Sequence, residues 1–119
     1  MRIIKLAVAA GIAGMMMASS VQAQTPAKEL TGKDLAYTNT KGNCLACHGM
    51  PTQPDAVSTG LYGPPLIAMS ARFPDKAKLR AKIWDATASN PNTSMPPFGK
   101  HKVLTEQEID KVTDFIHSL

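Results

Sequence analysis

The chain opens on an unbroken apolar run and then becomes patchy. Arg2 and Lys5 give a positive start, residues 6–17 are apolar or small, and Val21-Gln22-Ala23 ends in small residues. That succession describes a cleavable secretory signal over residues 1–23, and the run is too short for a stable membrane span. A domain is then expected over residues 24–119, with 24–30 as a lead-in. Residues 31–40 predict a short helix that turns Leu35 and Ala36 inward and is broken by Lys41-Gly42-Asn43. Pro51, Pro54, Pro64, Pro65 and Pro74 exclude long regular elements between residues 49 and 74. A helix is predicted over 74–86, where Leu79, Ile83 and Ala86 form one apolar stripe behind Pro74 and Asp75. Residues 88–102 return to loop. The last helix has the clearest signals. Thr105 and Glu108 form a Thr-x-x-Glu capping box, and Ile109, Val112, Ile116 and Leu119 make a stripe with Phe115 beside it.

No strand pattern, internal repeat or interdomain linker stands out. The expected fold is all-α, with three or four short helices separated by long proline-stiffened loops. Such loops suit a chain wrapped around a large flat group better than one packed on itself.

Charge changes this picture little. The 119 residues carry 13 basic and 9 acidic side chains, a net +4. Arg2 and Lys5 belong to the expected leader, so the remaining chain is nearly neutral. A near-neutral domain gives no reason to expect nucleic acid, whose binding depends on neutralising phosphates. The basic residues do cluster, with Arg72, Lys76, Lys78, Arg80 and Lys82 close together and Lys100 and Lys102 in the following loop. A solvated helix face and a docking surface for an acidic partner both explain that cluster.

Chemistry enters at Cys44-Leu45-Ala46-Cys47-His48. Cys-x-x-Cys-His is the attachment pattern of c-type haem. Two thiols three positions apart on one turn can each bond a vinyl carbon of the porphyrin, and the adjacent histidine falls under the iron as proximal ligand. A thioredoxin-like dithiol would follow a buried strand, but Thr38-Asn39-Thr40-Lys41-Gly42-Asn43 precedes this one. A zinc site would need further ligands at matching spacing, and the chain has only these 2 cysteines.

A ligand for the opposite haem face must come from elsewhere. Met50, Met69, Met95, His101 and His117 are the candidates. Met50 is too close to His48 to round the ring edge, His117 suits the end of a helix, and Met69 reads as a core methionine. Met95 is far from His48 in sequence and sits beside Pro96 and Pro97, whose fixed φ angles lower the entropy cost of holding a thioether in place. It is the expected ligand. Thioether ligation fills the coordination sphere and raises the reduction potential relative to two histidines, which favours electron transfer over catalysis. The carbonyl of Pro64 is a candidate acceptor for the free ring N–H of His48. Trp84 is expected to fill core or to meet a haem propionate.

Gly42 to His48, then Gly63-Pro64-Pro65-Leu66, then Met95-Pro96-Pro97 and a final helix together resemble class I cytochromes c. Three further runs closely resemble the SoxX family. They are Ala71-Arg72-Phe73-Pro74-Asp75, Ile83-Trp84-Asp85-Ala86-Thr87, and the stretch from Asn90 to His101 containing Met95-Pro96-Pro97-Phe98-Gly99-Lys100. SoxX is the small monohaem subunit of the SoxAX cytochrome of sulfur-oxidising bacteria. The resemblance implies a periplasmic all-α domain with one covalent haem c on Cys44 and Cys47, and His48 and Met95 as axial iron ligands. It implies a heterodimer with a SoxA-type cytochrome that oxidatively joins thiosulfate to a cysteine of the SoxYZ carrier. In that complex this chain would be the non-catalytic subunit, passing electrons to an acceptor cytochrome c. A free class I shuttle without an enzyme partner is the competing expectation.

Overall fold

A computed structural model describes residues 28–57 and 59–119. The expected leader, residues 1–23, and the start of the lead-in lie outside the described residues. Among the described residues four α-helices follow one another: α1 Gly32–Tyr37, α2 Met69–Arg72, α3 Lys76–Trp84 and α4 Glu106–His117. Single 3-10 turns, Cys44–Ala46 and Ala86–Ala88, lie between them. No strand occurs among the described residues. The fold is all-α with short helices and long loops, as the sequence pattern predicts.

Local chemistry sets the helix starts. Thr31 caps α1 and Thr105 caps α4, each in a reciprocal box with the acidic residue three positions on, Asp34 and Glu108. Asp75 is the cap of α3, accepting from the Ala77 N–H, so Pro74 stands one residue outside the helix. The chain leaves α3 at Trp84, earlier than the apolar stripe implies. The Asp85 side chain there accepts from the Thr87 N–H and starts the second 3-10 turn. Asp85 thus competes locally with continuation of the helix. Ala86 is buried all the same, in line with Leu79 and Ile83.

Helix α4 is the spine of the molecule. Ile109, Val112 and Ile116 are almost fully buried and join Leu35 of α1 and Leu79 and Ile83 of α3 in one core. Helix α1 crosses α4 closely because Gly32 has no side chain. A β-carbon there would lie 2.1 Å from the Lys111 carbonyl oxygen. Tyr37 meets Phe115 edge-on at that crossing, with ring centroids 6.2 Å apart. Outside the core, α3 and α4 are zipped by Lys76–Asp114 and by Arg80 with Glu106 and Asp110.

Two of the five basic residues of the 72–82 cluster, Lys76 and Arg80, are therefore paired with carboxylates. Lys100 also pairs, with Asp85.

Candidate functional site

Asn43 adopts left-handed backbone geometry, φ 47°, which asparagine tolerates, and turns the chain into the cysteine segment. The Cys47 and His48 N–H groups then both donate to the Cys44 carbonyl, at 3.2 and 2.9 Å. This tight turn presents Cys44, Cys47 and His48 to a single cavity.

The segment 60–66 braces the turn from behind. Gly60, Gly63 and Leu66 donate their N–H groups to the carbonyls of Leu45, Cys47 and Gly49, each at 2.8 Å. The two glycines are required by proximity. A β-carbon on Gly60 would lie 2.0 Å from the Ala46 oxygen, and one on Gly63 would lie 2.4 Å from Cε1 of His48. The imidazole thus lies against bare backbone. Its Nδ1 donates to the Pro64 carbonyl at 2.7 Å, the acceptor anticipated from sequence. A carbonyl only accepts, so this bond assigns the ring hydrogen to Nδ1 and leaves the lone pair on Nε2. Proline has no N–H, so the carbonyls of Pro64 and Pro65 are the polar handles of that stretch. Arg72 donates to the second, at 2.8 Å.

The cavity measures about 820 Å³. Cofactor sites run from roughly 300 to 1,000 Å³. Leu66, Leu79, Ile83, Phe98, Leu104, Val112 and Ile116 supply an apolar wall, and Met95 reaches the same space from the loop ahead of α4. Lys41, Arg72 and Lys82 are its charged lining residues, with no carboxylate among the lining. A large apolar chamber with thiols, an imidazole and a thioether on its wall, and cations but no anions, fits a haem with two propionates. The Cys44 thiol argues the same way. Burial pushes the Cys44 thiol up to about 11, whereas a redox-active dithiol has a depressed value. Among the described residues no group of three or more His, Cys, Asp and Glu side chains is placed to hold a bare metal ion.

Other candidates from the sequence fall into place. Met69 also lines the cavity, but Nη1 of Arg72 lies 3.2 Å from its sulfur. Met50 is buried in the core and is not part of the wall. His117 donates from Nε2 to the Phe73 carbonyl at 3.0 Å, and His101 is exposed. Trp84 lies outside the lining and packs between Gly99 and Arg80, which makes it a packing residue. Sequence reasoning missed the flat contact of Gly63 on His48 and the Arg72 brace. It also missed a hydrogen bond between the hydroxyls of Tyr62 and Ser94, at 3.2 Å. A glycine directly before Pro64-Pro65 was the one available signal.

Known proteins resemble the chain in three ways. The family model described as cytochrome c oxidase, cbb3-type, subunit III, matches residues 27–116. An uncharacterised lipoprotein of Aquifex aeolicus is 31% identical over 77 residues, 65% of this chain, which spans only 36% of that relative. The crystal structure of SoxXA from P. pantotrophus superposes with a TM-score of 0.66 at 28% identity, covering 73% of this chain and 77% of the matched one. These likenesses and the haem-sized chamber agree: the chain belongs to the cytochrome c family whose model is described as cytochrome c oxidase, cbb3-type, subunit III, and is a SoxX-like, haem c-binding member of it.

Proposed function

We propose that this chain is an exported one-electron carrier and the SoxX-type subunit of a thiosulfate-oxidising complex. It takes electrons from a SoxA-type cytochrome as thiosulfate is joined to SoxYZ, and delivers them to an acceptor cytochrome c. The observation that carries the reading is that Cys44, Cys47, His48 and Met95 line one chamber of haem size. The similarity to SoxXA supports a SoxA-type cytochrome as the partner. Residues 1–23 would direct export to the periplasm and be removed.

In this reading Cys44 and Cys47 anchor one haem through thioether bonds, and His48 and Met95 offer the axial ligands. When bound, haem c supplies a reversible one-electron iron couple. The protein's own residues set the conditions for it. Pro64 holds the His48 ring in the tautomer that leaves Nε2 free, and a hydrogen-bonded Nδ1 makes that nitrogen a stronger donor. The apolar wall from Leu66 to Ile116 excludes water and lowers the local dielectric. Arg72 and Lys82 line the same cavity and would supply cations for the propionates. A thioether from Met95 would leave no open position for a substrate, so the role is transfer and not bond chemistry.

Purification from the native host tests this. The expected result is co-elution with a SoxA-type cytochrome, and reduction of this chain's haem when thiosulfate and SoxYZ are added. A lone monomer that stays oxidised under those conditions overturns it in favour of a free shuttle.

A further inference from the structure

Residues 91–96, which carry Met95, make few hydrogen bonds to the rest of the protein, whereas Gly99 and Lys100 beyond them are tied to Trp84 and Asp85. Within residues 91–96, the Asn92 N–H donates to Oδ1 of Asn90, the Thr93 N–H to the Asn90 carbonyl and the Met95 N–H to Oγ1 of Thr93. All three bonds stay inside the loop. Pro96 has no N–H to give. Among the described residues, apart from the bonds to neighbouring Asn90, residues 91–96 make one hydrogen bond to another part of the chain, between the hydroxyls of Ser94 and Tyr62, 32 positions apart.

The far end of that bond is firmly mounted. Tyr62 lies between Gly60 and Gly63, whose N–H groups are bonded to the Leu45 and Cys47 carbonyls of the cysteine turn. Tyr62 and Ser94 both line the cavity, yet Tyr62 is 78% exposed, so the pair spans the mouth of the chamber and not its floor. A rigid rim on the His48 side is thereby joined to a weakly tethered rim on the Met95 side.

We propose that Tyr62 is a positioning residue for Met95. Its hydroxyl clasps Ser94 across the cavity mouth, holds the Met95 loop closed, and so sets how readily Met95 leaves the iron. This rests on the reading that Met95 is an axial ligand. Opening the clasp would free the one side-chain anchor that residues 91–96 make to the cysteine side of the cavity, and let an outside ligand compete for the vacated position. An exposed hydroxyl pair is a modest restraint, so it tunes the rate of opening without deciding whether the domain folds.

The test uses ferric holoprotein of the full chain, with imidazole as the competing ligand and the sulfur-to-iron absorption band as the signal. Tyr62→Phe removes one oxygen and keeps the ring, and Ser94→Ala removes the partner. Each variant should lose the band about two- to ten-fold faster than the parent, the rate equivalent of one hydrogen bond. The double variant should be no faster than either single one, because both changes break the same bond. Parental rates in both single variants, or effects that multiply in the double, overturn the clasp while leaving Met95 ligation intact. If the parent has no such band, Met95 ligation fails and the clasp with it.

Discussion

Gly63 occupies the space that any side chain would take from His48. Its β-carbon would lie 2.7 Å from Nδ1, the atom that donates to Pro64. Gly63→Ala should therefore push the ring off that bond at an overpacking cost of about 1–3 kcal/mol. The expected outcome is a lower unfolding midpoint of the holoprotein together with a changed reduction potential. An unaltered potential would mean that the Pro64 bond does not tune the ligand. Met95→Ala should lower the potential and let carbon monoxide bind the reduced protein, since the thioether is the group proposed to fill that position. Retained potential and no carbon monoxide binding would move the ligand elsewhere. At this scale the cysteine turn and its histidine were legible because their chemistry is local, five consecutive residues on one turn. The neighbours that orient them were only partly so. Pro64 was anticipated as the acceptor, but the contact of Gly63 with His48 and the meeting of Tyr62 with Ser94 arise from residues far apart in sequence, which no local pattern encodes.

Helix starts were readable for a related reason, since a capping box such as Thr105 with Glu108 is written in adjacent positions. Helix ends were harder. Asp85 carries one side chain that does two jobs, capping the turn at Thr87 and pairing with Lys100 of the Met95 loop. The Thr87 hydroxyl first, and then the Lys100 ammonium, hold its carboxyl down from an ordinary 3.8 to about 2. A carboxylate depressed in the folded state stabilises the fold above the unfolded value and loses that contribution as pH falls through the folded one. Asp85 thus favours the folded state fully above about pH 4 and ceases to do so by about pH 2. Asp85→Asn should be less stable than the parent at neutral pH and should close that gap between pH 4 and 2. Thermal melts across that range check it, and a gap that persists unchanged at pH 2 would contradict it. The same register explains the basic cluster. Its charge was visible in the sequence, but the pairing of Lys76 and Arg80 with Glu106, Asp110 and Asp114 depends on how α3 lies on α4.

Across the whole molecule, four short helices and long loops surround a chamber of about 820 Å³ that few small proteins could leave unfilled. The all-α architecture was legible from periodicity, and the reason for its loops from the cysteine motif. The chamber's walls were not, because they combine residues from three of the helices, α2, α3 and α4, and from the loops between the elements. Folding and haem attachment should be coupled, since the group that fills the chamber also completes the core. Cys47→Ser, which removes one of the two thioethers, should then lower the yield of folded protein sharply, and abundant haem-free folded protein would contradict that coupling. The most direct measurement is the intact mass of the secreted wild-type chain after denaturation. The expected value is the polypeptide plus one covalently retained haem; the mass of the bare polypeptide would contradict the assignment of Cys44 and Cys47 as haem anchors.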